Sequence, residues 1–295
     1  MNGLELIDGL MADPLIADRV KIENYLLVYL DLRPCSQITF PAELPDGKTF
    51  GADIDERTYP LLSGVRAETD PRRKLKAIRN VKREMRTAFR EIVEASIQYQ
   101  SHLEWGKALR LQSLKAEVRP TVQELYLFKD RDVKKRLKRL MKDREKLRRQ
   151  VMHRPPPGLG RVRIAYPEEF HGGWLRQMGE LLGYPGCCVE QYASDREGGA
   201  SVEERASQQI REEEQHGAVD AFAYFVGYYF PCSPSCDASS KRGRECHESL
   251  SNIDPQLGEI YTSIVAENRD RVLRQPEIIA EHRAKAMESS SRREE

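Results

Sequence analysis

Val133-Lys134-Lys135-Arg136-Leu137-Lys138-Arg139-Leu140 sets the fold class of this chain: apolar residues recur at steps of four and three, and a base fills every position between. That is the period of a helix with one apolar seam and a solvated opposite face. The seam continues through Arg144, Leu147 and Val151. Upstream, Ile78, Val81, Met85, Ala88, Ile92, Ala95 and Tyr99 repeat the pattern behind Asp70-Pro71, a favourable helix start. Pro120 stands between the two seams and would break a helix. The spacing predicts a long, coiled-coil-like helical hairpin over 70–154, within a mainly α protein.

The second arm is basic. From Lys129 to Arg149 there are twelve Lys or Arg against four acids, although the whole chain carries a net charge of only +1. An excess of eight positive charges suits a nucleic acid or protein partner at 129–149. A solvated helix face, partly neutralised by acidic neighbours, suits the same pattern.

Pro155-Pro156-Pro157-Gly158-Leu159-Gly160 marks a boundary. Before the hairpin, 1–66 reads as a small mixed α/β segment. Leu4–Val20 is helical in pattern, Tyr25–Leu30 reads as a buried strand, and Gln37–Phe40 and Lys48–Phe50 flank a Pro45-Asp46-Gly47 turn. Cys35 in this segment reads as structural. Beyond the boundary, Arg161–Tyr166 reads as a short strand, and 161–288 otherwise reads as a domain of short helices. A helix from the capping box at Ser201–Glu204 is expected to run to Tyr229, and another from Asp254-Pro255 to be interrupted at Pro276. Residues 289–295 read as a disordered tail.

Two proline-punctuated turns in that domain hold four of the six cysteines. They are Leu182-Gly183-Tyr184-Pro185-Gly186-Cys187-Cys188-Val189-Glu190 and Phe230-Pro231-Cys232-Ser233-Pro234-Ser235-Cys236. Each leads into a predicted helix, where free amides and the helix dipole favour a thiolate. Cys187, Cys188, Cys232 and Cys236 are therefore the expected metal or cofactor ligands. Adjacent side chains tend to point apart, which tilts the expectation towards an iron–sulfur cluster, 4Fe–4S in particular. Zinc is the alternative, with Cys246 or His247 as a substitute ligand. A metal-free pair of redox turns is a third reading.

Glu212, His216 and Asp220 fall four apart on the expected 201–229 helix, an arrangement that suits either general acid–base work or an exposed ion-paired face. With Cys246 they are the candidate catalytic residues. Phe170-His171-Gly172-Gly173-Trp174 suits either a close backbone approach to a ligand or a simple loop-to-helix turn. The residues name no substrate, small or macromolecular. A redox or sulfur-transfer enzyme built on a cluster is the leading expectation. A non-enzymatic zinc module with a basic binding helix is the runner-up.

No stretch approaches the ~20 apolar residues of a membrane span. Met1–Asp8 lacks the basic-then-apolar order of a secretory signal, so a cytoplasmic location is expected.

Over 181–250, the paired motifs Leu182–Val189 and Pro231–Cys236 resemble an uncharacterised prokaryotic family, archaeal in part, known as a domain of unknown function. The resemblance implies that the two turns form one unit. It implies no reaction, and it leaves the basic hairpin and the N-terminal segment outside.

Overall fold

The computed structural model describes residues 3–154 and 161–291. The chain is mainly helical with a small three-stranded antiparallel sheet. It divides into two compact units, Met1–Lys134 and Lys135–Glu295.

The N-terminal unit begins with α1 (Gly3–Ala12). A continuous helical run follows: α2 (Asp18–Val20), a π-helical turn (Lys21–Leu26) and α3 (Leu27–Tyr29). The expected strand Tyr25–Leu30 is thus helical as far as Tyr29, because it is enclosed all round: Tyr25, Leu26, Leu27 and Val28 are all buried. A short apolar run buried on every side loses the periodicity that separates strand from helix. Strand β1 (Cys35–Phe40) matches the expected strand. Its expected hairpin partner at 48–50 instead opens α4 (Gly47–Ala67).

Helix α5 (Pro71–Ala88) starts where Asp70 accepts a hydrogen bond from the Arg73 amide at 2.8 Å. It packs on α4 and continues through a π-helical turn (Phe89–Glu94). A new cap at Ser96 then starts α6 (Ile97–Ala108). The expected helical hairpin over 70–154 is interrupted here by β2 (Gln112–Arg119) and β3 (Val122–Phe128). Pro120 sits in their two-residue turn, between the paired Arg119 and Val122. The physical reason lies in Leu114, Ala116 and Val118, which alternate with exposed Lys115, Glu117 and Arg119, the period of a half-buried strand. β3 is central, in the order β1-β3-β2.

Helix α7 (Arg131–His153) carries the second seam. Val133, Leu137, Leu140 and Arg144 are buried on it. From Lys135 onward it belongs to the C-terminal unit. There the Trp174 indole N–H donates to the Leu140 carbonyl at 3.1 Å, and Arg148 forms a forked pair with the buried Glu168. The proline-rich boundary expected at 155–160 lies outside the described residues. Arg161–Ala165 is a short helix, α8, rather than a strand.

A 3₁₀ turn (Pro167–Phe170) leads to α9 (Gly172–Leu181), α10 (Gly186–Gly198) and α11 (Val202–Glu214). After α11 come a 3₁₀ turn (Ala221–Tyr224), α12 (Asp237–Ser251) and α13 (Pro255–Ser291). Helix α11 stops at Glu214, well short of the expected Tyr229. Glu212, Glu213 and Glu214 crowd its C-terminal end, where the helix dipole disfavours negative charge, and Gly217 follows. Pro276 lies inside α13 without ending it, and residues 289–291 of the expected tail continue that helix. Residues 292–295 lie outside the described residues. One hydrophobic cluster of the unit joins Ala206 and Ile210 of α11 to Ala223, Tyr224 and Val272. No helix among the described residues is long and apolar enough to cross a membrane.

Candidate metal centre

The two cysteine turns meet. The sulfurs of Cys187, Cys188, Cys232 and Cys236 all lie within 4.8 Å of one another. Cys187 and Cys188 are 3.8 Å apart, Cys187 and Cys236 3.7 Å, and Cys188 and Cys236 3.6 Å. None forms a disulfide. Four cysteine sulfurs at these separations can hold a metal ion.

Local sequence explains the convergence. Gly183 adopts φ 78° after α9, a conformation a side chain would resist, and turns the chain sharply. Pro185 then occupies the N-cap position of α10, which places Cys187 and Cys188 in the first helical turn. Cys236 is the N-cap residue of α12. Cys232 lies in the intervening turn, whose carbonyl accepts from the Arg205 guanidinium and the Gln209 amide at 3.3 Å each. Arg205 is itself held by Asp195 at 2.6 Å. Gly243 completes the seat, because a Cβ there would collide with the Phe222 carbonyl oxygen and push α12 away from the 3₁₀ turn.

A second layer hydrogen-bonds the sulfurs. The Cys232 amide points at the Cys188 sulfur at 3.3 Å. The Ser239 hydroxyl lies 3.4 Å from the same sulfur and is hydrogen-bonded to the Tyr229 hydroxyl. Tyr184, Phe225 and Tyr229 cluster beside them in tilted and edge-on contacts, with Tyr229 centred 4.8 Å from each of the other two rings. Sequence reasoning missed Ser239 and Tyr229. The available signal was Ser239's place in the first turn of a helix that begins on a cysteine.

The thiols do not share one acidity. Burial and the neighbouring Cys188 push Cys187 up to about 11. Burial, with a hydrogen bond to Cys236, also drives Cys232 well above the usual thiol range. Burial opposes ionisation of Cys236 too, but hydrogen bonds from the Ser239 amide, Cys232, the Ser239 hydroxyl and Cys188 bring it down to about 7. The helix-start expectation thus describes Cys236, whereas burial first, and then the crowding of potential anions, keeps Cys187 protonated. A divalent cation among these sulfurs would invert that crowding.

The other candidates lie apart. Cys246 is buried in α12, ten residues beyond Cys236 and so about 15 Å further along the helix axis. His247 packs its ring edge-on against Phe222. Neither belongs to the four-sulfur group. Because α11 ends early, Glu212, His216 and Asp220 do not share a helix face. Glu212 accepts from Gln208, His216 is exposed in the following turn, and Asp220 caps the 3₁₀ turn and pairs with Arg244 at 2.7 Å. Cys35 is buried in β1, where burial raises its thiol to about 12.

Residues 111–256 match the model of a family described as a protein of unknown function (DUF483). The match is broader than the motifs alone imply, since it takes in β2, β3 and the basic helix α7 as well as both cysteine turns. No curated protein and no solved structure matches the chain.

Proposed function

We propose that this is a metal-binding protein in which Cys187, Cys188, Cys232 and Cys236 together hold one tetrahedral ion, zinc by the chemistry of the donor set. The observation that carries this reading is the spacing of the sulfurs. Thiolates about 2.3 Å from one ion stand about 3.8 Å apart at the corners of a tetrahedron. The separations among Cys187, Cys188 and Cys236 are 3.6, 3.7 and 3.8 Å, and Cys232 lies within 4.8 Å of all three. A cluster interposes inorganic sulfide and sets thiolates on different irons further apart. The tandem cysteines favour a cluster only if their sulfurs diverge, and here they converge.

Four protein ligands leave no open position for substrate, which is the pattern of structural zinc. The chain's own residues support that role: the Cys232 amide donates to the Cys188 sulfur and the Ser239 hydroxyl lies within hydrogen-bond reach of it, as outer partners of metal thiolates do. The ion's contribution would be to tie the start of α10 to the start of α12.

The test is metal and sulfide content, with a visible spectrum, of full-length protein purified without oxygen. One zinc per chain and a colourless solution are expected. Iron and sulfide in equal amounts, with broad absorbance near ~400 nm, would replace the single ion with a cluster. A metal-free, colourless protein would remove both readings.

A further inference from the structure

Helix α7 presents more than a generally basic surface. Its buried residues, Val133, Leu137, Leu140 and Arg144, define one face. On the opposite face Lys135, Lys138, Arg139, Lys142, Lys146 and Arg149 follow one another at helical spacing, all exposed. From Lys135 to Arg149 this stripe runs about 21 Å. No acid interrupts it, because Asp143 and Glu145 project from its two flanks. Among the described residues Lys138, Arg139, Lys142 and Lys146 form no ion pair, although Arg136 and Arg148 on other faces of the helix do.

The stripe borders a cleft. Lys146, Asp143 and Gln150 of α7 form one wall, and His171, Trp174 and Gln177 at the start of α9 form the other, around about 280 Å³. The Trp174 indole is pinned by its bond to the Leu140 carbonyl. His171 uses its Nδ1 to accept from the Trp174 amide, which fixes an exposed imidazole at the mouth. The cleft therefore offers the exposed ring of His171 beside the buried Trp174 indole, two amides and one carboxylate.

We infer that this face binds single-stranded nucleic acid, with the phosphate backbone along the Lys138–Arg149 stripe and one unstacked base in the His171–Trp174 cleft. A row of cations without acids neutralises successive phosphates. An exposed ring beside such a row, here His171, supplies stacking surface for a base of any identity. The amides and Asp143 can meet the donors and acceptors on a base edge. A duplex keeps its bases stacked and out of reach of the cleft, and an acidic peptide would use the stripe but not the rings. The inference does not depend on the metal reading.

The experiment is fluorescence anisotropy on the full-length protein, with labelled 12-nucleotide RNA and DNA single strands, the matching duplex, and anionic lipid vesicles as a separate arm. The single strands are expected to bind at low salt, with log affinity falling linearly against log salt. Comparing RNA with DNA reads whether the 2′-hydroxyl is recognised. Lys138→Glu, Arg139→Glu and Lys142→Glu combined should weaken binding at least tenfold and flatten the salt slope by about 2, at roughly 0.7 per phosphate. His171→Ala should weaken single-strand binding several-fold and leave the slope unchanged. Circular dichroism confirms that these surface variants are folded. No binding at 50 mM salt, binding to vesicles alone, a duplex preference untouched by His171→Ala, or a charge variant equal to wild type would each overturn the inference.

Discussion

A buried cysteine in helix α12 and a buried histidine in helix α6 show how similar residue types come to opposite uses. Cys246 is fully enclosed and lies outside the four-sulfur group, so its contribution is structural rather than as a ligand. Cys246→Ser should leave metal content at wild-type stoichiometry, while the buried hydroxyl lowers stability by about 1–3 kcal/mol in chemical denaturation. Cys232→Ser, by contrast, should lose most of the bound metal in the same assay. His102 is equally enclosed, with Tyr25 hydrogen-bonded to its Nδ1 at 2.8 Å. Burial holds its pKa down at about 4, against an ordinary 6.5. For a base depressed in this way, the unfolded chain takes up the proton first. The stability is therefore complete above pH 6.5 and falls steadily as pH drops towards 4, by about 3 kcal/mol over that window. His102→Gln should flatten that part of the wild-type stability profile, measured as urea midpoints from pH 7 to pH 4.

Among the elements, the helix seams were the legible part. Val133, Leu137, Leu140 and Arg144 face inward as their spacing predicts, and the capping residues at Asp70 and Ser201 start the helices expected of them. Two of the failures share a cause: a local pattern shorter than the window needed to read it. Tyr25–Leu30 is too short and too apolar to show a period. The alternation at Leu114, Ala116 and Val118 was hidden between two strong helical seams. Of the candidate site, the four clustered cysteines were visible as two motifs. Their convergence is expected from those motifs, but what seats it is not legible, because Arg205, Gln209 and Gly243 carry no chemical signature in sequence. Gly243 gives the element-scale prediction. Gly243→Ala would force α12 off the Phe222 carbonyl, lowering stability by about 1–3 kcal/mol, and slowed uptake of metal by the apo-protein should accompany that loss.

At the scale of the molecule, the two compact units should respond separately to chelation. Under a strong zinc chelator, hydrogen exchange should quicken in the first turns of α10 and α12 and along the 3₁₀ turn at 221–224. The amides of β1 and β3 should keep their protection. Equal loosening of both units would count against a local role for the cysteines. Cys188 and Cys232 are 44 residues apart in sequence. A cross-link closing a loop of that length removes chain entropy from the unfolded state worth about 4 kcal/mol, by the arithmetic used for disulfides. Unlike a disulfide, a metal cross-link forms without an oxidant and is undone by one, since oxidised thiols release the ion. With the ion proposed above in place, the C-terminal helices are fastened by a bolt that the cell supplies and withdraws, and their persistence becomes a readout of metal supply and thiol redox state together.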